Sequence, residues 1–124
     1  MSGKVMVVDD SAMSRRSLRR ILESDNYEVI EADDGMAALE KYFLEKPDLV
    51  MLDMLMKGMY GLEVLAKLRE MDKEVRVVIV SADIQNSTRE MAKDAGALDF
   101  INKPFAPESV LNIVTRILSE ETEI

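Results

Sequence analysis

Val5-Met6-Val7-Val8-Asp9-Asp10-Ser11 is the stretch on which the fold turns. It opens as a short run rich in apolar and β-branched residues, as a strand covered on both faces should be. It then breaks into two adjacent acids and a Ser. Leu49-Val50-Met51-Leu52-Asp53 repeats the arrangement, an apolar run closed by an acid. In an open parallel sheet the ligand site lies beyond the carboxyl ends of the strands, where strand order reverses. If these two strands are neighbours, three carboxylates converge in one crevice.

Outward from this pair, short apolar runs alternate with longer amphipathic ones. Val29 to Ile30, Val75 to Val80 and Leu98 to Ile101 read as further strands. The mixed Tyr27-Glu28-Val29-Ile30-Glu31 suits a sheet edge. Helices are predicted from Ala12 to Asp25, with Leu18, Ile21 and Leu22 as its stripe, and from Gly35 to Leu44, with Leu39, Tyr42 and Phe43 on one side. Pro47 blocks extension of the second. A third is expected from Leu62 to Met71, burying Leu62, Leu65, Ala66 and the stem of Arg69. A fourth and more polar one spans Ile84 to Ala95, with Gly96 as its cap. The fifth opens on Pro107 and buries Val110, Leu111, Val114, Ile117 and Leu118. The acidic tail of Glu120, Glu121 and Glu123 is expected to fray. Strand and helix alternate about five times, which a doubly wound parallel α/β sheet with helices on both faces satisfies most simply.

Composition narrows the function. The 124 residues fit one domain, 1–124, and 48% of them are hydrophobic, enough for a real core. With no Cys and no His, the chain has no thiolate or imidazole metal ligand and no Ser-His triad. A net charge of −8 argues against nucleic acid as the main partner. No apolar run approaches a membrane span. A strand pattern starts almost at once, which argues against a signal peptide, so the expected location is cytoplasmic. The ten Met residues read as core filler.

Asp9, Asp10 and Asp53 repel one another when ionised, and a hard divalent cation resolves the conflict. Mg²⁺ favours oxygen ligands and commonly bridges one or two carboxylates to a phosphate. Ser81 and Lys103 close the fourth and fifth strands, offering the hydroxyl and the cation that a phosphoryl oxygen needs besides a metal. Each feature alone has a plain reading. Asp-Asp-Ser is a common turn and helix cap, Lys-Pro a common surface turn, and a lone Ser means nothing. Their joint occurrence at successive strand ends argues for a site.

These segments also carry a resemblance. Val7-Val8-Asp9-Asp10-Ser11, Glu31-Ala32-Asp33-Asp34-Gly35, Leu52-Asp53-Met54, Val80-Ser81-Ala82 and Asn102-Lys103-Pro104-Phe105 resemble the response-regulator receiver family, over nearly the whole chain. The nearest look is to single-domain chemotaxis-type regulators. The resemblance implies a flavodoxin-like, five-stranded sheet of order 2-1-3-4-5. It makes Asp53 the phosphoacceptor, Asp10 a direct Mg²⁺ ligand, and Asp9 a helper through the metal's water shell. The backbone carbonyl of Leu55 would complete the metal site. Lys103, with a cis bond to Pro104, would pair with the phosphoryl group. Ser81 would be the switch hydroxyl and Phe100 the switch aromatic, swinging inward as Ser81 moves. The readout surface would be the fourth helix, fifth strand and fifth helix.

The implied partners are a histidine kinase or histidine phosphotransfer protein as phosphodonor and a downstream protein target, with the chain itself a monomer. Arg15, Arg16, Arg19 and Arg20 read from sequence as a solvated helix face, and the resemblance makes them a dock for an acidic donor. Some positions depart. Met56-Lys57-Gly58-Met59-Tyr60-Gly61 lacks the Pro and Asp frequent in that loop, and Phe100 replaces the more usual Tyr. Leu55 and Asp83 occupy positions where the family tunes phosphoryl lifetime. Other readings are a phosphorylation-independent pseudo-receiver, a flavodoxin, and an aspartyl-phosphate phosphatase of the haloacid-dehalogenase type. The phosphatase needs a second acid where Leu55 stands, and a flavin phosphate would meet Asp9 and Asp10. The pseudo-receivers usually lose an acid or the Lys, and all are present here.

Overall fold

The computed structural model describes residues 3–83 and 85–120. Five strands, β1 (Lys4–Val8), β2 (Glu28–Ala32), β3 (Leu49–Asp53), β4 (Val77–Ser81) and β5 (Asp99–Asn102), alternate with helices α1 (Ala12–Ser24), α2 (Gly35–Glu45), α3 (Gly61–Met71), α4 (Asn86–Asp94) and α5 (Pro107–Glu120). The strands form one parallel sheet of order β2-β1-β3-β4-β5, as expected.

Side chains alternate faces along a strand, and this builds two cores from one sheet. Met6, Val8, Val50, Leu52, Val77 and Ile79 face α2, α3 and α4, packing on Ala38, Val64, Leu65, Leu68 and Ala92. Val5, Val7, Leu49, Met51, Val78 and Val80 face α1 and α5, packing on Leu18, Leu22, Val110, Val114 and Ile117. β1, β3 and β4 are thus apolar on both sides, which explains their unbroken runs. β2 is one of the two edge strands, with Glu28 exposed.

Local chemistry sets the helix ends. Ser11 Oγ accepts from the Ser14 amide at 3.3 Å and caps α1, and Asp34 Oδ1 accepts from the Ala37 amide at 2.7 Å and caps α2. Past α4, Gly96 takes φ +106°, the left-handed position expected of a helix-ending Gly. α2 ends differently, on Lys46 at φ 46°, a non-Gly residue in that region just before buried Pro47.

Several core assignments are corrected. α2 buries Gly35, Ala38 and Tyr42, so Phe43, about 100° further round, is 68% exposed. α3 buries Gly61, Val64, Leu65 and Leu68, an i, i+3, i+4, i+7 stripe that leaves Ala66 and Arg69 exposed. Val75 precedes β4 in a turn, its amide donating to the Asp72 carbonyl. Leu98 is exposed just before β5. The Met residues divide: Met6, Met51, Met54 and Met56 fill the core, whereas Met13, Met36, Met71 and Met91 are exposed. Ile84 and the tail from Glu121 lie outside the described residues, as does the side chain of Glu120.

Candidate phosphoryl and metal site

Register alone assembles the pocket. Val8 pairs with Leu52, so the next residues, Asp9 and Asp53, leave the sheet side by side at its carboxyl edge. Asp53 pairs with Val80 and Ser81 with Asn102, which brings Ser81 and then Lys103 to the same edge. Chain order turns back between β1 and β3, the crevice where a doubly wound sheet binds ligand.

The carboxylates of Asp9, Asp10 and Asp53 each offer an oxygen within 4.8 Å of the other two. Asp9 and Asp53 are buried and Asp10 is exposed. Asp9 belongs both to the turn into α1 and to the pocket. Its Oδ1 accepts from the Ser11 amide at 2.9 Å, forming the turn into α1, and its Oδ2 accepts from Lys103 Nζ at 2.7 Å. The same Nζ lies 3.5 Å from Asp53 Oδ1. Burial, and next the charge of Asp9, push the Asp53 carboxyl up to about 6, with Lys103 pulling the other way.

An oxygen-only set of three carboxylates is the donor chemistry Mg²⁺ favours, and the triad is a receiver-type Mg²⁺ site. Asp10 stands at its open side, where its Oδ2 accepts from the Lys57 amide at 3.2 Å. Leu55 follows in the loop after β3, two residues beyond Asp53, and is 58% exposed. Ser81 is 1% exposed, and its Oγ accepts from the Asp83 amide at 3.1 Å. The Lys103–Pro104 bond is cis, as the resemblance implied.

Phe100 is already buried against the α2–α3–α4 core, with the Arg89 guanidinium carbon 5.0 Å from its ring centre. The basic strip splits in two. Arg15 and Arg19 turn toward β2 and pair with Glu31 at 2.9 and 2.5 Å, and Arg15 also donates to the Asp9 carbonyl at 2.7 Å. Arg16 and Arg20 face solvent.

Sequence reasoning named Arg15 and Asp83 for other roles and missed the supporting contacts: the Lys57 amide behind Asp10, Arg15 on the Asp9 carbonyl, and the bond from Thr88 to Asp83 beyond Ser81. Backbone partners leave no residue-type signal. Thr88 five residues after Asp83 was the one clue available.

The family model described as "Response regulator receiver domain" matches residues 5–115. The chemotaxis protein CheY of Bacillus subtilis is 38% identical over 96% of this chain and 100% of its own length. Response regulator MprA of Mycobacterium ulcerans is 40% identical over 90% of this chain, which spans only 48% of that protein. Among solved structures, a CheX–CheY–BeF3–Mg complex from Borrelia burgdorferi superposes with TM-score 0.89 at 33% identity, covering 93% of this chain and 88% of that one. Family match, topology and carboxylate pocket agree, and the chain belongs to the response regulator receiver domain family.

Proposed function

We propose that Asp53 accepts a phosphoryl group from a phosphohistidine on a partner kinase or phosphotransfer protein, in the cytoplasm. The observation that carries this reading is the buried carboxylate at the end of β3, which meets both a cation, Lys103 Nζ at 3.5 Å, and two further acids able to hold Mg²⁺. An Asp53 carboxylate oxygen forms the new bond to phosphorus as the bond to the donor's imidazole nitrogen breaks. Asp9, Asp10 and Asp53, with the Leu55 carbonyl, would hold Mg²⁺, which supplies neutralisation of charge on the phosphoryl oxygens. Lys103 takes one such oxygen, leaving Asp9 to do so, and the Ser81 hydroxyl donates to another. Asp53 is already desolvated, so its oxygen is not buried behind a water shell when the donor arrives. Water can later attack the acyl phosphate, and the bulky apolar Leu55, two residues after Asp53, limits its approach. The chain is a phosphoacceptor rather than a member of a hydrolase family.

Ser81 and Phe100 act as the switch, and a downstream protein reads α4, β5 and α5, with the chain itself a monomer. The exposed Arg16 and Arg20 on α1 face an acidic phosphodonor. No helix among the described residues is long and apolar enough to cross a membrane. The test is labelling by acetyl phosphate and by a phosphohistidine donor. Wild type should incorporate acid-stable, hydroxylamine-labile phosphate in Mg²⁺, and Asp53→Asn should incorporate none. Undiminished labelling of that variant would place the acceptor elsewhere.

A further inference from the structure

α4 is weakly anchored, since only Ala92 among its residues is buried. Gln85, which begins it, makes no side-chain cap. Its start is held instead by Asp83, whose Oδ1 accepts from the Gln85 amide at 3.0 Å and whose Oδ2 accepts from the Thr88 hydroxyl at 2.8 Å. The backbone of Asp83 reaches the other way, its amide donating to Ser81 Oγ at 3.1 Å. One residue thus joins a buried hydroxyl at the end of β4 to the first turn of α4. Arg89, next after Thr88, lies over the Phe100 ring and extends the link to β5.

We propose that Asp83 is the positioning residue that couples Ser81 to α4. This rests on the reading of Ser81 as the group that answers a phosphoryl on Asp53. When the Ser81 hydroxyl turns toward Asp53, the Asp83 amide either follows it or loses its acceptor. Both outcomes displace the carboxylate that fixes Gln85 and Thr88, and through Arg89 they reach Phe100. A cap supplied from within α4 would leave the helix unlinked to Ser81.

The experiment is amide NMR on the full chain, with beryllofluoride and Mg²⁺ as the phosphoryl probe. In Asp83→Ala, the probe-induced shifts across residues 86–94 and at Phe100 should fall below half of wild type, while those at Asp53 and Lys103 persist. Asp83→Asn should restore them, because its side-chain oxygen still accepts from Gln85. Thr88→Val, which keeps the Gln85 bond, should fall between. A full α4 response in Asp83→Ala would reduce Asp83 to a local cap and overturn the proposal. Should Asp83→Ala not fold, an undiminished α4 response in Thr88→Val overturns it equally. Absence of any probe response at Asp53 and Lys103 in wild type would sink the phosphoacceptor reading, and this coupling with it.

Discussion

Asp53 is held in a site that resists its charge, and the proposed attack on phosphorus needs that charge. Its carboxyl sits at about 6, above the unfolded value of about 3.9. The fold therefore binds this proton more tightly than the unfolded chain does. The resulting stability is full below about pH 4 and is lost as pH rises through about 6. Asp53→Asn should then stabilise the metal-free protein at pH 7 by about 1–2 kcal/mol, allowing for screening in the open pocket. The gain should vanish as pH falls to about 4. Urea melts across that range check it, and a gain independent of pH would assign it to packing. Asp10→Ala removes an exposed ligand and should weaken Mg²⁺ binding at least about tenfold, or about 1.4 kcal/mol, in a Mn²⁺ or Mg²⁺ titration. At this scale the sequence was informative wherever chemistry sits on a strand end. Asp9, Asp10, Asp53, Ser81 and Lys103 were legible because a parallel sheet sends every strand end to one edge. The Lys57 amide and the Asp9 carbonyl were not, because any residue type carries a backbone.

Helices obey their stripes more strictly than their composition suggests. Leu65 is fully buried under the sheet and Phe43 is 68% exposed, although both were expected inside. Leu65→Ala should cost about 2–5 kcal/mol and Phe43→Ala within about 0.5 kcal/mol. Equal losses in chemical denaturation would contradict the assigned faces. Gly61 begins α3 against the end of β3, and its amide donates to the Met54 carbonyl. A Cβ there would meet the Asp53 carbonyl oxygen and approach Met54 Cα to 2.8 Å. Gly61→Ala should cost about 1–3 kcal/mol and shift the loop that carries Leu55. The strands at Val5, Leu49 and Val77 were legible because both faces are covered and every position is apolar. Phe43 and Ala66 were misassigned because α2 and α3 carry apolar residues beyond their buried stripes, and packing rather than hydrophobicity chooses among them.

At the scale of the molecule, one end of a two-faced sheet holds the charge that the rest of the fold cannot. Two apolar layers fix β1 beside β3, and that adjacency forces Asp9 against Asp53 whether or not a cation is bound. Metal binding should therefore feed back on global stability. At 100 times its dissociation constant, Mg²⁺ should add about 2.7 kcal/mol at pH 7. Because the Asp53 proton competes with the metal, apparent affinity should drop about tenfold by pH 5. Thermal melts with and without Mg²⁺ at both pH values test this, and equal stabilisation at pH 5 and pH 7 at one fixed Mg²⁺ concentration below saturation would contradict it. The most direct trial of the central claim is chemical mapping of the phosphorylated residue. After incubation with acetyl phosphate, borohydride reduces an aspartyl phosphate to homoserine, which peptide mass spectrometry locates. Homoserine at position 53, formed with Mg²⁺ and lost with chelator, is the predicted result. Homoserine at Asp9 or Asp10 instead, or formation at position 53 unaffected by chelator, would contradict the account.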